Sequence, residues 1–275
     1  MRLRENRIWT AIREDRVALG VNVQTGSAEI VEMVGAQGYE WVLIDCEHGA
    51  FGLDGAVPLI RAAEAVGVSA IVRVPDCEPS FIMRVLDAGA MGVVIPKVET
   101  AEQARMAVSA ARYAMDGNGG ERGACPNTRA TWHFPSNWEQ FARWSNENVF
   151  VMVLVETQRG IDNIEEILDV QGINSLGSGS FDLAQARGFP GQPGHPEVEA
   201  LVARLMASAR RRGIQPTTTL FANEPAAARA EYEKLVAAGY RILSAGSDRR
   251  MMSLALRDKV RMARGPEISP SKEKE

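Results

Sequence analysis

The sequence is poor in most features that mark a specialised class of protein. It has three cysteines, Cys46, Cys77 and Cys125, widely spaced and without a Cys-x-x-Cys pair. That pattern points away from a disulfide framework or a structural zinc site, and towards a reducing compartment. Histidine is equally scarce, with only His48, His133 and His195. No run approaches the roughly 20 apolar residues that a membrane helix needs. The charged N-terminal stretch MRLRENRIWTAIRED lacks the apolar centre of a signal peptide. Positive charge is not in excess: 31 Lys and Arg against 35 Asp and Glu leave a net charge of −4, which gives no electrostatic reason for nucleic-acid binding. The run Arg210 to Arg212 shares an expected helix with Arg204 and reads as a solvated face. The expectation is a cytoplasmic protein with neither a nucleic-acid nor a membrane partner.

What the chain has in abundance is alternation. Short apolar runs, ALGVNVQ, WVLID, SAIVRV, GVVIPKV, VFVMVLVE, SLGSGS, QPTTTL and RILSAG, alternate with amphipathic stretches such as GAVPLIRAAEAVG and EPAAARAEYEKLVAAG. Continuous apolar runs of this length suit parallel strands covered on both faces. Several amphipathic stretches end in Gly, the usual residue after a helix. Thr100 with Gln103 fits a capping box. Eight strands, each followed by helix, predict an α/β fold of the (β/α)8 TIM-barrel type rather than an open sheet. An extra N-terminal helix, about 3–15, is expected to close the barrel bottom. A long loop at 115–148, between the fourth barrel helix and strand five, is expected to be a functional loop or an oligomer contact. The chain reads as a single barrel domain over 1–264 with a disordered tail at 265–275.

Barrels of this kind carry their chemistry at the C-terminal ends of the strands. Those positions hold Gln24; Asp45, Glu47 and His48; Arg73; Lys97 and Glu99; Glu156; Ser180 and Asp182; and Thr219. Glu156 and Asp182, on neighbouring strand ends, suit a hard divalent cation such as Mg²⁺ or Mn²⁺, or each caps the following helix. GSGS before Asp182 supplies backbone N–H groups at a helix start, a cradle for a carboxylate or phosphate. His48, beside two acids on the loop after strand two, is the candidate acid/base. Arg73 either points into the barrel mouth or pairs with Asp45. His133 lies where the long loop could bring it to the site, and His195 is expected to open a helix.

The stretches WVLIDCEHG, IVRVP, LDAGAMGVVIPKVETAEQA, VLVET and DLAQARGFPGQPGHPEV together resemble the HpcH/HpaI aldolase family, over about 4–260 and in the same order. These are class II, metal-dependent pyruvate aldolases on a (β/α)8 barrel, related to the citrate lyase β-subunit. The resemblance implies a carbon–carbon lyase that cleaves or forms 4-hydroxy-2-oxo or 2-oxo-3-deoxy acids through a pyruvate enolate. It places the family's D-x-E-H pattern on Asp45, Glu47 and His48, with His48 as the base at the 4-hydroxyl. Its metal ligands fall on Glu156 and Asp182, for Mg²⁺ or Mn²⁺ with Co²⁺ as a further option. Its active-site Arg falls on Arg73, and the acid that orients the His on Asp87, within one chain or across an interface. The amides of Gly179, Ser180 and Phe181 are expected to bind the substrate carboxylate, with Asp45 and Glu47 behind them holding metal waters or loop amides. Family members form hexamers or trimers by exchanging a C-terminal helix, here SDRRMMSLALRDKVRMA. The sequence departs from the 4-hydroxy-2-oxo acid pattern at Leu154, where Gln is usual, and at Lys97, which resembles the citrate lyase-like branch. Alternative readings are citrate lyase-like cleavage of a 3-hydroxyacyl thioester or citrate-like acid, Schiff-base chemistry at Lys97, and a non-catalytic 2-oxo acid-binding barrel.

Overall fold

A computed structural model describes residues 3–265. Strands β1 (Ala18–Val23), β2 (Trp41–Asp45), β3 (Ser69–Arg73), β4 (Gly92–Ile95), β5 (Phe150–Leu154), β6 (Ser175–Gly177), β7 (Gln215–Thr219) and β8 (Ile242–Ser247) close in sequence order into a barrel. Every neighbouring pair is parallel, including β1 with β8. Around it run α1 (Arg7–Arg13), α2 (Ala28–Ala36), α3 (Leu53–Ala65), α4 (Pro79–Asp87), α5 (Ala101–Ala111), α6 (Trp138–Asn148), α7 (Gln158–Asp162), α8 (Ile164–Leu168), α9 (Ser180–Ala186), α10 (Pro196–Arg211), α11 (Pro225–Ala237) and α12 (Asp248–Arg264). The (β/α)8 expectation holds. The tail expected at 265–275 lies, apart from Gly265, outside the described residues.

Strand pleat divides the apolar residues into two cores and, by the same alternation, aims the polar ones. On β5, Val151 and Val153 face the helices while Phe150, Met152 and Leu154 face the barrel axis; on β2, Val42 and Ile44 face out while Trp41 and Leu43 face in. Continuing the inward phase by one pleat brings Asp45 at the end of β2, Arg73 at the end of β3 and Glu156 just past β5 into the barrel mouth. Side-chain direction at the site is therefore set by the register of the hydrophobic residues below it.

The lower half of the barrel is filled. Trp41 lies inside it, donating from Nε1 to the Ala18 carbonyl at 3.0 Å. The ring needs Gly20 opposite, where a Cβ would stand only 2.3 Å from two of its ring carbons. From below, α1 contributes Ile8 and Ala11 to the same cluster, and Trp9 meets Phe150 edge to face at 5.2 Å. Asn6 caps α1 through Oδ1 to the Ile8 amide, and its Nδ2 donates to the carbonyls of Met91 and Asn148, both at 3.0 Å. The extra N-terminal helix thus closes the bottom as expected, over a shorter span.

The long segment departs from expectation in two ways. Its last part is helix α6, which buries Phe141 and Ala142 against Tyr113. The remainder packs at the strand N-terminal end: Arg122 pairs with Asp87 at 2.7 Å, the Ala130 amide donates to the Asp87 carbonyl, and Arg129 donates to the Ala88 carbonyl. Asp87 is the last residue of α4, and helices run opposite to strands here, so helix ends lie at strand beginnings. The segment therefore underpins the barrel, away from the strand C-terminal ends that carry the polar residues.

Gly20→Ala is expected to destabilise the fold by about 1–3 kcal/mol in denaturant titration, because a fully packed Trp41 must move. Adding Trp41→Phe to that variant should recover part of the loss, which identifies the clash as the cause.

Candidate active site

The polar strand ends surround a cavity of about 340 Å³. His48 and Arg73 stand on one side, Glu156 and Asp182 on a second, and Asn22 and Thr217 on a third. Trp41, Leu43, Met152 and Leu154 also line it, so the barrel's inner apolar core comes up to the site. A larger groove of about 770 Å³ lies outside the barrel, at Glu102, Met106 and Asp169. None of the polar strand ends faces that groove, and its chemistry is that of an ordinary surface.

Asp45 organises the first side. It is fully buried and accepts from Arg73 Nε at 2.9 Å and Nη2 at 2.5 Å, a two-pronged ion pair. The Gln24 side chain donates to it at 2.7 Å, and the amides of Glu47 and His48 donate at 3.1 Å each. Burial pushes the carboxyl pKa up, but the bonds and charge of Arg73 outweigh it and hold the group below the usual carboxylate range. The chain then turns sharply, with the Gly49 amide donating to the Asp45 carbonyl at 3.0 Å. A Cβ at Gly49 would stand 2.1 Å from that oxygen, so the turn that presents His48 requires glycine there.

The turn leaves the His48 imidazole reaching outward, with its side chain 57% exposed and Nε2 3.7 Å from Glu47. The Glu47 side chain is only 8% exposed and is ringed by cations, with Arg73 Nη1 and Lys97 Nζ each at 3.3 Å. None of these contacts has hydrogen-bond geometry, so both carboxylate oxygens lack a hydrogen-bond partner. An acid buried in that state is ready to accept from water or ligand. Cys46 is buried beside it, its thiol pushed up to about 12 by burial and by Asp45. It packs and is no thiolate ligand.

Glu156 is buried, and Asp182 is exposed in the first turn of α9. Both reach the same spot: a Cβ built on Gly179 would lie 2.2 Å from a Glu156 oxygen and 3.1 Å from an Asp182 oxygen. Only glycine leaves that space between two carboxylates open. The Lys97 amide donates to Glu156 at 3.1 Å from a residue in the left-handed region, with φ of 51°. Burial, and then repulsion from Asp182, push Glu156 up to about 7. Two acids that repel across a small gap fit a cation between them. Among the described residues no cluster of three or more His, Cys, Asp or Glu is arranged to hold a metal. An ion here would therefore rest on two carboxylates and take its other oxygens from water and substrate.

The structure brings His48, Arg73, Glu156, Asp182, Gly179, Ser180 and Phe181 to one cavity, with Asp45 and Glu47 directly behind. It does not bring Asp87 to His48 within one chain, since Asp87 lies at the opposite end of the barrel, paired with Arg122. His133 is on the bottom segment and does not line the cavity. His195 caps α10, its Nδ1 accepting from Glu197, and stacks on Phe189. Arg73 satisfies both earlier readings, paired with Asp45 through two nitrogens while still lining the cavity. Several residues escaped sequence reading: Asn22 and Thr217 line the cavity, and two more stand behind it. Asp248 accepts from the amides of Gln24 and Thr25, and Arg249 donates to the carbonyls of His48 and Gln24. They stand just past β8, and the strand-end rule extended to the eighth strand would have reached them.

The HpcH/HpaI aldolase/citrate lyase family model matches residues 19–254. The hydroxypyruvate/pyruvate aldolase of Sagittula stellata is 35% identical over 214 residues, covering 78% of this chain and 83% of that protein. The 4-hydroxy-2-oxovalerate aldolase of Novosphingobium aromaticivorans is 38% identical, covering 76% and 79%. The crystal structure of a HpcH/HpaI aldolase/citrate lyase family protein from Burkholderia cenocepacia superposes with a TM-score of 0.84 at 31% identity, covering 94% of this chain and 99% of that one.

The raised Glu156 sets a pH test. Its contribution to stability in metal-free protein is fully present below about 4.5 and is lost as pH rises through about 7. Glu156→Gln keeps an acceptor for the Lys97 amide and removes the charge. The variant should match the parent in thermal unfolding near pH 4.5 and exceed it at pH 8 by about 1–3 kcal/mol.

Proposed function

Since the chain belongs to the HpcH/HpaI aldolase/citrate lyase family and is a lyase, a 2-oxo acid aldolase, we propose that it cleaves and forms 4-hydroxy-2-oxo acids by a divalent-cation-dependent route. The observation that carries the metal reading is the open gap at Gly179 between the mutually repelling Glu156 and Asp182. Those two residues would hold the ion, Mg²⁺ or Mn²⁺. When bound, the ion supplies Lewis-acid stabilisation to negative charge developing on the substrate's 2-oxo oxygen.

The chain's own groups do the rest. Arg73, fixed by Asp45 through Nε and Nη2, keeps hydrogens on its terminal nitrogens for the 2-oxo oxygen, a donor already oriented before charge appears there. The amides of Gly179, Ser180 and Phe181 open α9, where the first turn has no intrahelical acceptor for them, and they hold the substrate carboxylate. His48, at the cavity edge with a free imidazole, takes the proton of the 4-hydroxyl as the C3–C4 bond breaks. In the condensation direction it returns that proton to the aldehyde oxygen. Glu47, short of hydrogen-bond partners, orders water between His48, Arg73 and the carboxylate pair. Asp87 enters this scheme only across a subunit contact.

Schiff-base chemistry at Lys97 is the weaker reading, because its amine lies against Glu47 and the residue does not line the cavity. The three cysteines are unpaired, which supports the cytoplasmic reading. No helix among the described residues is long and apolar enough to cross a membrane. Exposed Met252, Leu256 and Met262 on α12 support assembly into a homo-oligomer through that helix.

The test is pyruvate release from 4-hydroxy-2-oxo acids with and without a chelator. Activity should vanish in EDTA and return with Mg²⁺ or Mn²⁺, and His48→Ala should lower kcat by on the order of 10²–10⁴. Full activity in chelator, with borohydride trapping of substrate on Lys97, would overturn the proposal. Apparent Mn²⁺ affinity should climb with pH up to about 7, the point where Glu156 ionises, and then level off.

A further inference from the structure

We propose that Arg249, at the start of α12, is a positioning residue that fixes the reach of His48; the inference rests on the reading of His48 as the base. His48 sits in a turn followed by Gly49 and Gly52, so the local chain has little stiffness of its own. Its backbone is nevertheless fixed on both polar groups. The His48 amide donates to Asp45 at 3.1 Å, and its carbonyl accepts from Arg249 Nη1 at 3.2 Å. The second prong, Arg249 Nη2, donates to the Gln24 carbonyl at 2.7 Å. Gln24 in turn donates from its side chain to Asp45 at 2.7 Å. Two loops, after β1 and after β2, are thereby joined at Asp45 on the inside and at Arg249 on the outside. The backbone that carries the imidazole is thus held from both sides.

Docking of α12 does not depend on this clamp. Asp248 already ties the helix start to the loop after β1, accepting from the amides of Gln24 at 2.9 Å and Thr25 at 3.0 Å and from the Thr25 hydroxyl at 2.5 Å. What Arg249 adds is the link to the His48 carbonyl. A fork of planar donors suits two carbonyls from two loops, and a lysine ammonium has no matching geometry. The chemistry makes the clamp matter, since a general base acts only within hydrogen-bond reach of its proton and small displacements cost rate steeply.

The experiment compares Arg249→Met and Arg249→Lys, each alone and with His48→Ala, in pyruvate release from a 4-hydroxy-2-oxo acid. Oxalate binding in the presence of Mn²⁺ reads the carboxylate pair separately. Arg249→Met should lower kcat on the order of tenfold, leave KM and oxalate affinity within about twofold of the parent, and lose its effect in the His48→Ala background. Arg249→Lys should recover part of the loss. An unchanged kcat in Arg249→Met overturns the inference, and so does the same fold-loss with and without His48. If His48→Ala itself keeps the parent kcat, the reading of the base fails, a result distinguishable from failure of the clamp.

Discussion

The site depends on one ion pair, the buried carboxylate of Asp45 held by two nitrogens of Arg73. A carboxylate with no solvent exposure is costly unless its lone pairs are filled and a counter-charge is close. Asp45 meets both needs, accepting from Arg73, the Gln24 amide group and two backbone amides of the turn. Each of those donors is a piece of the site: Arg73 faces the cavity, and the His48 amide sets where the imidazole begins. The desolvation that makes Asp45 expensive also makes its geometry hard to change, because a departing donor would leave charge uncompensated.

The opposite wall runs on the reverse logic. Glu156 and Asp182 face each other across the opening at Gly179, and burial with mutual repulsion pushes Glu156 up to about 7. One side of the mouth is thus an internally satisfied pair, and the other is a pair of acids that gains from a positively charged occupant. Gly179 keeps the space between them open, and Lys97, twisted into a positive φ, aims its amide at Glu156. The backbone strain at Lys97 is stored beside the candidate metal position, where shape is under the tightest demand.

Much of this was legible in the sequence because the polar residues stand at the C-terminal ends of continuously apolar runs. Which face points inward was not, since both faces of β2 and β5 are apolar; the structure puts Phe150, Met152 and Leu154 in phase with Glu156, and Trp41 and Leu43 in phase with Asp45. The family resemblance added roles to residues the strand-end rule had already found. What was not legible depends on long-range packing. Asp87 lies in a stretch that reads continuously with the site motifs, but it ends a helix and so falls at the wrong end of the barrel for its own His48. The segment after α5 read as a functional loop or an oligomer contact because it is long and irregular, and only its contacts with Asp87 and Ala88 show that it packs under the barrel. Arg249 lies within reach of the strand-end rule at β8, but nothing in a basic helix start marks the His48 and Gln24 carbonyls as its partners.

Asn6 carries a consequence for how the molecule is made. Its side-chain amide bonds to Met91 and Asn148, 85 and 142 residues further along the chain. Helix α1 therefore completes these contacts only after β4 and α6 have been synthesised. Contacts across such separations are slow to form and must wait for loops to close. Until then Ile8 and Ala11, which end as part of the barrel floor, lack Met91 and Phe150 from their cluster, so α1 acts as a latch whose closing signals that the first half of the barrel is in place.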